Sequence, residues 1–348
     1  MKRILFIVLL IVFASTVVFI NTKNIIDSSP RYFARCLLNY SDDCLKLGIF
    51  YLEKAKFKRA YRSFDKACKL GNMQGCYNLG LMHSRDDMGL NANYLTAIKF
   101  YDIACKQNYS NACINLSSIY TTHFPTLENN KTAFEITNIS CNNGSEVACF
   151  NAGIFYEHGI GVQANFEQAS NFYKLACEKK HDEACINLSS IYTTHFPTFE
   201  NNKTAFNLLR DVCNNGNVMS CYNAGIFYTN GVGTKPNLDE AVKAFLYACD
   251  RNYPDACRKL ANFYYGGIYF EEDYTKAYEL YKKSCDMGDN QSCSFVGVML
   301  FYGYGVDKNE ILGLEILKDS CSKNELLSCQ ILQNIDKYDV NATIKSIM

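Results

Sequence analysis

The 348 residues carry 35 basic and 35 acidic side chains, balanced and spread along the chain, so the basic stripe that nucleic-acid binding requires is missing. Five prolines, no tryptophan and no low-complexity tract fit a mostly helical chain with a core of tyrosine, phenylalanine and aliphatics. Only five histidines accompany 18 cysteines, none in a Cys/His cluster, so neither a metal nor a cofactor is expected.

The chain opens with MKRILFIVLLIVFASTVVFIN, in which Lys2 and Arg3 precede an uncharged apolar run from Ile4 to Ile20. A basic start followed by such a run reads as an export signal. Val12-Phe13-Ala14 offers a small-residue cleavage site, yet the run continues to Ile20 and reaches the lower limit for spanning a bilayer. Residues 1–20 are therefore either a signal peptide or a single membrane anchor, followed by a short linker over 21–32. Both readings export the body of the protein, to the periplasm or the medium.

From there the cysteines set the organisation. They form nine C-x7-C pairs: Cys36–Cys44, Cys68–Cys76, Cys105–Cys113, Cys141–Cys149, Cys177–Cys185, Cys213–Cys221, Cys249–Cys257, Cys285–Cys293 and Cys321–Cys329. From Cys105 onward the pairs recur every 36 residues, the mark of a repeat architecture. Even-numbered, evenly spaced cysteines outside the cytoplasm read as disulfides. Seven intervening residues do not make a metal clip, whose ligands sit two to four apart.

Each unit is predicted to be helix, turn, helix. Eight residues before the first cysteine stand Ala60, Ala97, Ala133, Ala169, Ala205, Ala241, Ala277 and Gly313, and four before it Phe64, Tyr101, Tyr173, Phe245 and Tyr281. These spacings place a small and a large residue on one helix face with the cysteine. Three residues after it comes Gly or Asn in eight of nine units, a stop signal that only Lys180 breaks. The next helix starts around the second cysteine and reads C-x-x-[LAV]-[GSA]-x-x-Tyr, as in CFNAGIFY from Cys149. It ends in one of two alternating ways: glycine turns at Gly159, Gly231 and Gly303, or TTHFPT around His123 and His195. That alternation accounts for CINLSSIYTTHFPTLENNKTAF at Cys113, which recurs 72 residues later at Cys185 with one substitution. The disulfides then staple the second helix of one unit to the first helix of the next.

The strings A-x-x-[FY]-[FY]-x-x-A-C, G-x-x-x-[AS]-C-x-N-[LA]-G and Y-x-x-G-x-G resemble Sel1-like repeats, and the cysteine pair in each unit is similar to the Helicobacter cysteine-rich proteins. The resemblance covers about residues 33–333, about eight repeats with terminal half-units, and leaves 334–348 as a tail. It implies an all-α fold, an α/α superhelical solenoid related to tetratricopeptide arrays. It also implies two different activities: a protein-interaction scaffold, or a β-lactam-binding protein and weak β-lactamase.

Local motifs weigh against catalysis. S-x-x-K occurs at Ser63–Lys66 and Ser320–Lys323, as chance allows, and Ser63 occupies a packing slot of its helix. Tyr109–Asn111, and the Lys131 and Lys203 positions, only echo other penicillin-recognition motifs, so no catalytic residue is assigned. His123 and His195 lie two repeats apart and are expected to stack beside Phe124 and Phe196. The N-x-[ST] sites after Glu128, Glu200 and Asp339 resemble bacterial glycosylation acceptors, or Asn129 and Asn201 begin helices. The remaining candidate is the groove that the first helices of a solenoid line. Two residues past the second cysteine, Asn78, Asn115, Asn151, Asn187 and Asn223 recur. They could hold a peptide, protein or peptidoglycan fragment through bidentate amide hydrogen bonds, or pair with the neighbouring turn.

Overall fold

The computed structural model describes residues 29–334; the apolar run, most of the linker, the tail and the site after Asp339 lie outside the described residues. Helices and connections alternate throughout, with no strand among the described residues. Two compact units divide after Asn165. The first holds α1 (Ser29–Leu37), α2 (Ser41–Glu53), α3 (Phe57–Lys69), α4 (Met73–Ser84), α5 (Tyr94–Cys105), α6 (Ser110–Thr122), α7 (Leu127–Asn142) and α8 (Glu146–His158). The second holds α9 (Phe166–Glu178), α10 (Asp182–Thr194), α11 (Phe199–Asn214), α12 (Val218–Asn230), α13 (Leu238–Asp250), α14 (Pro254–Gly266), α15 (Tyr274–Asp286), α16 (Asn290–Tyr302), α17 (Glu310–Ser322) and α18 (Leu326–Asn334). Within each unit every helix packs on its chain neighbours, as in an α/α solenoid.

Helix ends follow from local chemistry. Asn72, Asn93, Thr126, Ser145 and Asn217 each accept a hydrogen bond from the backbone N–H three residues ahead, satisfying a donor that the first turn leaves free. At the other end, all nine residues three past the first cysteine are left-handed, with φ between 61° and 98°. Lys180 conforms at 66°, although its residue type gave no stop signal. Its N–H bonds the Cys177 carbonyl at 2.8 Å, and His181 N bonds Ala176 O at 3.1 Å. These closing bonds, and the Cys177–Cys185 bridge, hold a conformation that costs a lysine about 1 kcal/mol.

All nine C-x7-C pairs are disulfides, with Cα atoms 4.6–4.9 Å apart. No free cysteine remains among the described residues. Such a set is stable only where thiols are not kept reduced, which implies an oxidising, extracytoplasmic compartment.

The core is a small-to-large fit repeated along the chain. The seven alanines eight before the first cysteine are fully buried, and so are Phe64, Tyr101, Tyr173, Phe245 and Tyr281. The small residue four past the second cysteine makes room for them: a Cβ on Gly225 would stand 2.6 Å from Phe245 Cε1, and one on Gly80 would strike the Tyr101 ring. Where the large residue is replaced by Thr137, the facing residue is Ser117, whose Oγ lies 2.9 Å from Thr137 Oγ1 and donates to the Ala133 carbonyl at 3.1 Å. Removing the ring and filling the gap thus go together. One expectation fails. The two-way alternation of turns does not reach α14: where the proline form is due, it closes on Gly267 at φ 61°, with Ile268 N on Phe263 O and Asp273 N on Tyr264 O, as α8 closes on Gly159.

Candidate functional site

The five recurrent asparagines sit in the second turn of α4, α6, α8, α10 and α12, all half-buried. Neighbouring first helices are tied near these positions. In the first unit, Asn72 Nδ2, at the start of α4, donates to Asp42 Oδ1 of α2 at 2.8 Å, while Asn143 Nδ2 to Asn108 Oδ1 at 2.8 Å joins the connections that follow α7 and α5. In the second, Tyr222 of α12 packs 5.1 Å from Tyr253, the residue capping α14. Arg258 of α14 bonds Asp289, which caps α16, at 2.8 Å.

The side-chain amides differ in availability. Asn115 Nδ2 donates to the Tyr101 hydroxyl at 3.2 Å. That hydroxyl is also 3.2 Å from Ser84 Oγ, and burial pushes its pKa up. Asn78, Asn151, Asn187 and Asn223 make no side-chain hydrogen bond among the described residues, so the pairing with a neighbouring turn does not occur at these four. Alignment on the second cysteine also puts Lys46 and Lys259 at this position, which a search for asparagine alone overlooks. Lys46 Nζ lies over the Tyr32 ring, 5.6 Å from its centroid.

The other motifs resolve into structure. Ser63 is buried and donates to Arg59 O, one turn back, at 3.0 Å, while Lys66 Nζ reaches Leu37 O at 3.4 Å. Ser320 is fully buried, and Lys323 pairs with Asp319 at 2.6 Å. Neither serine is presented to its lysine as a nucleophile to a base. Ser63→Ala should change stability by no more than about 1 kcal/mol in a thermal melt, since a back-bonded helix hydroxyl contributes little. Tyr109 packs 5.3 Å from Tyr77, and Lys131 and Lys203 are exposed.

His123 and His195 do stack, but on different rings from those expected: His123 on Tyr94 at 3.7 Å and His195 on Phe166 at 3.5 Å. Each partner opens the second helix that precedes its loop, so the imidazole joins loop to helix; burial pushes the His123 pKa down. Asn129 and Asn201 begin helices, their Nδ2 atoms donating to Phe124 O and Phe196 O at 2.8 Å. The acceptor oxygens of the sequon residues Asn130 and Asn202 are buried.

Among the described residues no group of side chains is placed to hold a metal ion, and no helix is long and apolar enough to cross a membrane. The geometry therefore defines a class: a disulfide-stapled helical-repeat scaffold with a repeated polar position on its first helices. The Sel1 repeat profile matches residues 74–109, 147–181, 218–253, 254–289 and 290–324, just over half of the chain. The chain belongs to the Sel1 repeat family.

A comparison with curated proteins gives no match. Among solved structures, the chain is similar to c5321, a protective antigen of uropathogenic Escherichia coli with an SLR fold. That match has a TM-score of 0.72 at 19% identity and covers 86% of this chain and 65% of the other. This chain thus spans somewhat less than two thirds of the c5321 chain. A Sel1 repeat protein from Oxalobacter formigenes matches with a TM-score of 0.71 at 17% identity, over 88% of this chain and 90% of that one. Helicobacter pylori cysteine rich protein B aligns with 35% of this chain and 93% of its own length, at 27% identity and a TM-score of 0.30.

Proposed function

We propose that the protein is an exported scaffold whose units each hold an extended peptide segment of a protein partner along their first helices. The observation that carries this reading is a pair of half-buried asparagines in each unit, Asn78 and Asn151 in the first and Asn187 and Asn223 in the second, at one register position and without hydrogen-bond partners among the described residues. A primary amide offers a donor and an acceptor side by side, the pattern that a peptide bond also presents. Repetition at the 36-residue period suits a ligand that repeats in the same way, and an extended polypeptide does. The disulfides support the reading, because a scaffold working outside the cytoplasm must keep its helices in register unaided.

The test is fluorescence anisotropy of labelled decapeptides selected on the oxidised chain. Replacing all four asparagines by alanine should weaken binding by about tenfold or more while the circular dichroism and melting of the chain stay unchanged. Equal affinity for both proteins would sink the reading.

A further inference from the structure

The charge balance of the whole chain hides a local excess: residues 29–70 hold ten basic and four acidic side chains. On α3, Lys58, Arg62, Asp65 and Lys69 recur at helical spacing and share one face. Asp65 is matched by Lys69 at 2.7 Å. Lys58 and Arg62 are exposed, and their side chains make no ion pair or hydrogen bond among the described residues. Lys54 and Lys56, just before the helix, are exposed and unpaired in the same way.

α1 continues this face with a different chemistry. Aligned on the first cysteine, Phe33, Leu37 and Leu38 stand where α3 and its end carry Asp65, Lys69 and Leu70. The two helices meet there, since Lys66 Nζ donates to the Leu37 carbonyl at 3.4 Å. Phe33, Leu37 and Leu38 are 50%, 60% and 72% exposed. Later in the first unit the same positions are polar: Asp102, Lys106 and Gln107, then Asn138, Asn142 and Asn143. A terminal repeat ordinarily shows water a polar surface. This one shows apolar side chains beside unpartnered cations.

A soluble polyanion would match the cations and leave Phe33, Leu37 and Leu38 in water. A second copy docked by the same face would set like charge against like. A bilayer with anionic headgroups satisfies both chemistries, because apolar side chains enter the headgroup–acyl boundary while lysine and arginine stay at the phosphates. Position in the chain agrees. The eight residues from 21 to 28, which follow the apolar run, reach at most about 28 Å when fully extended. Where the run is kept as an anchor, α1 begins within that distance of the bilayer.

We infer that the exposed face of α1 and α3 lies on the surface of an anionic phospholipid bilayer, with Phe33, Leu37 and Leu38 inserted and Lys58 and Arg62 on the phosphates. This surface is separate from the asparagine positions of the first unit, which lie on α4, α6 and α8.

The chain has no tryptophan, so Leu37→Trp supplies a single fluorescent reporter. The oxidised full chain carrying it is reconstituted with vesicles of phosphatidylcholine, alone or mixed with phosphatidylglycerol. Emission should shift to the blue, and be quenched by brominated acyl chains, only where phosphatidylglycerol is present, and raised salt should reverse both. Adding Lys58→Gln and Arg62→Gln should lower the ratio of lipid-buried to water-exposed reporter about thirtyfold. Lys131→Gln with Lys203→Gln, an equal loss of charge elsewhere, should leave that ratio unchanged. Melting curves check that each variant still folds. A reporter that stays in water with both lipids, or shifts equally with both, overturns the inference. So does a blue shift that appears without lipid and grows with protein concentration, which would assign the face to a second copy. Charge-dependent binding of dextran sulfate, with the reporter still in water on phosphatidylglycerol vesicles, would overturn it in favour of a soluble polyanion.

Discussion

Gly233→Ala should cost the second unit about 3 kcal/mol or more, although it adds a single methyl group. Two effects act together. Gly233 has φ 66°, a conformation that costs other residues roughly 1–2 kcal/mol. An added Cβ would also overlap the Asn202 carbonyl and stand 2.6 Å from Lys203 N, both backbone atoms of the first turn of α11. Backbone inside a helix cannot rotate aside as a side chain can, so the turn or the helix must shift, at a typical cost of about 1–3 kcal/mol. Gly288 separates the two effects: it has φ 96°, and nothing lies within 4 Å of its added Cβ. Gly288→Ala should show the conformational cost alone. Because repeat arrays need not unfold in one step, the readout is hydrogen exchange of α11 and α12 amides alongside the global denaturation curve. Equal destabilisation by the two substitutions would mean that the turn does not press on α11.

The same contact shows why some of the structure could be read from residues and some could not. Features fixed by one residue type at a period were legible: the buried alanines, the rings at Phe64 and Tyr101, the facing Gly80, and the nine bridges. Each depends on size or on sulfur chemistry, which residue identity states directly. Lys180 was not legible, because its left-handed backbone is imposed by closing hydrogen bonds and a bridge on a residue that would not choose it. The histidine partners were misplaced for another reason. Tyr94 and Phe166 are distant in sequence from His123 and His195, so only the packing of a loop against the preceding helix brings them together. Of the candidate site, the asparagine positions came from the repeat, whereas their availability depends on whether a neighbour such as the Tyr101 hydroxyl takes the amide. Lys259 was within reach of the same alignment; what hid it was a search for one recurring residue type where the position itself recurs.

Reduction of the bridges should have the largest effect of any single treatment: the reduced chain should show no cooperative thermal transition above about 37 °C, whereas the oxidised chain should retain one. Each bridge joins cysteines eight apart and removes about 2.5 kcal/mol of loop freedom from the unfolded chain. The first unit has four, and their combined contribution of about 10 kcal/mol is comparable to the whole stability of an ordinary domain. The sum is an upper figure, since residual structure in the unfolded chain already restrains such short loops, but half of it would still be decisive for helices that touch only their neighbours. Access should delay the loss, because Cys44, Cys76 and Cys257 are wholly buried. A thiol reagent then reaches them only after local opening. Mild dithiothreitol should therefore reduce the native chain slowly, and trapping with iodoacetamide should show bridges lost in steps. Replacing both Cys213 and Cys221 by serine should cost about 2–3 kcal/mol and loosen α11 and α12 first. A fully reduced chain that melts within a few degrees of the oxidised one would show that the packing of alanine, ring and glycine holds the repeats without the staples.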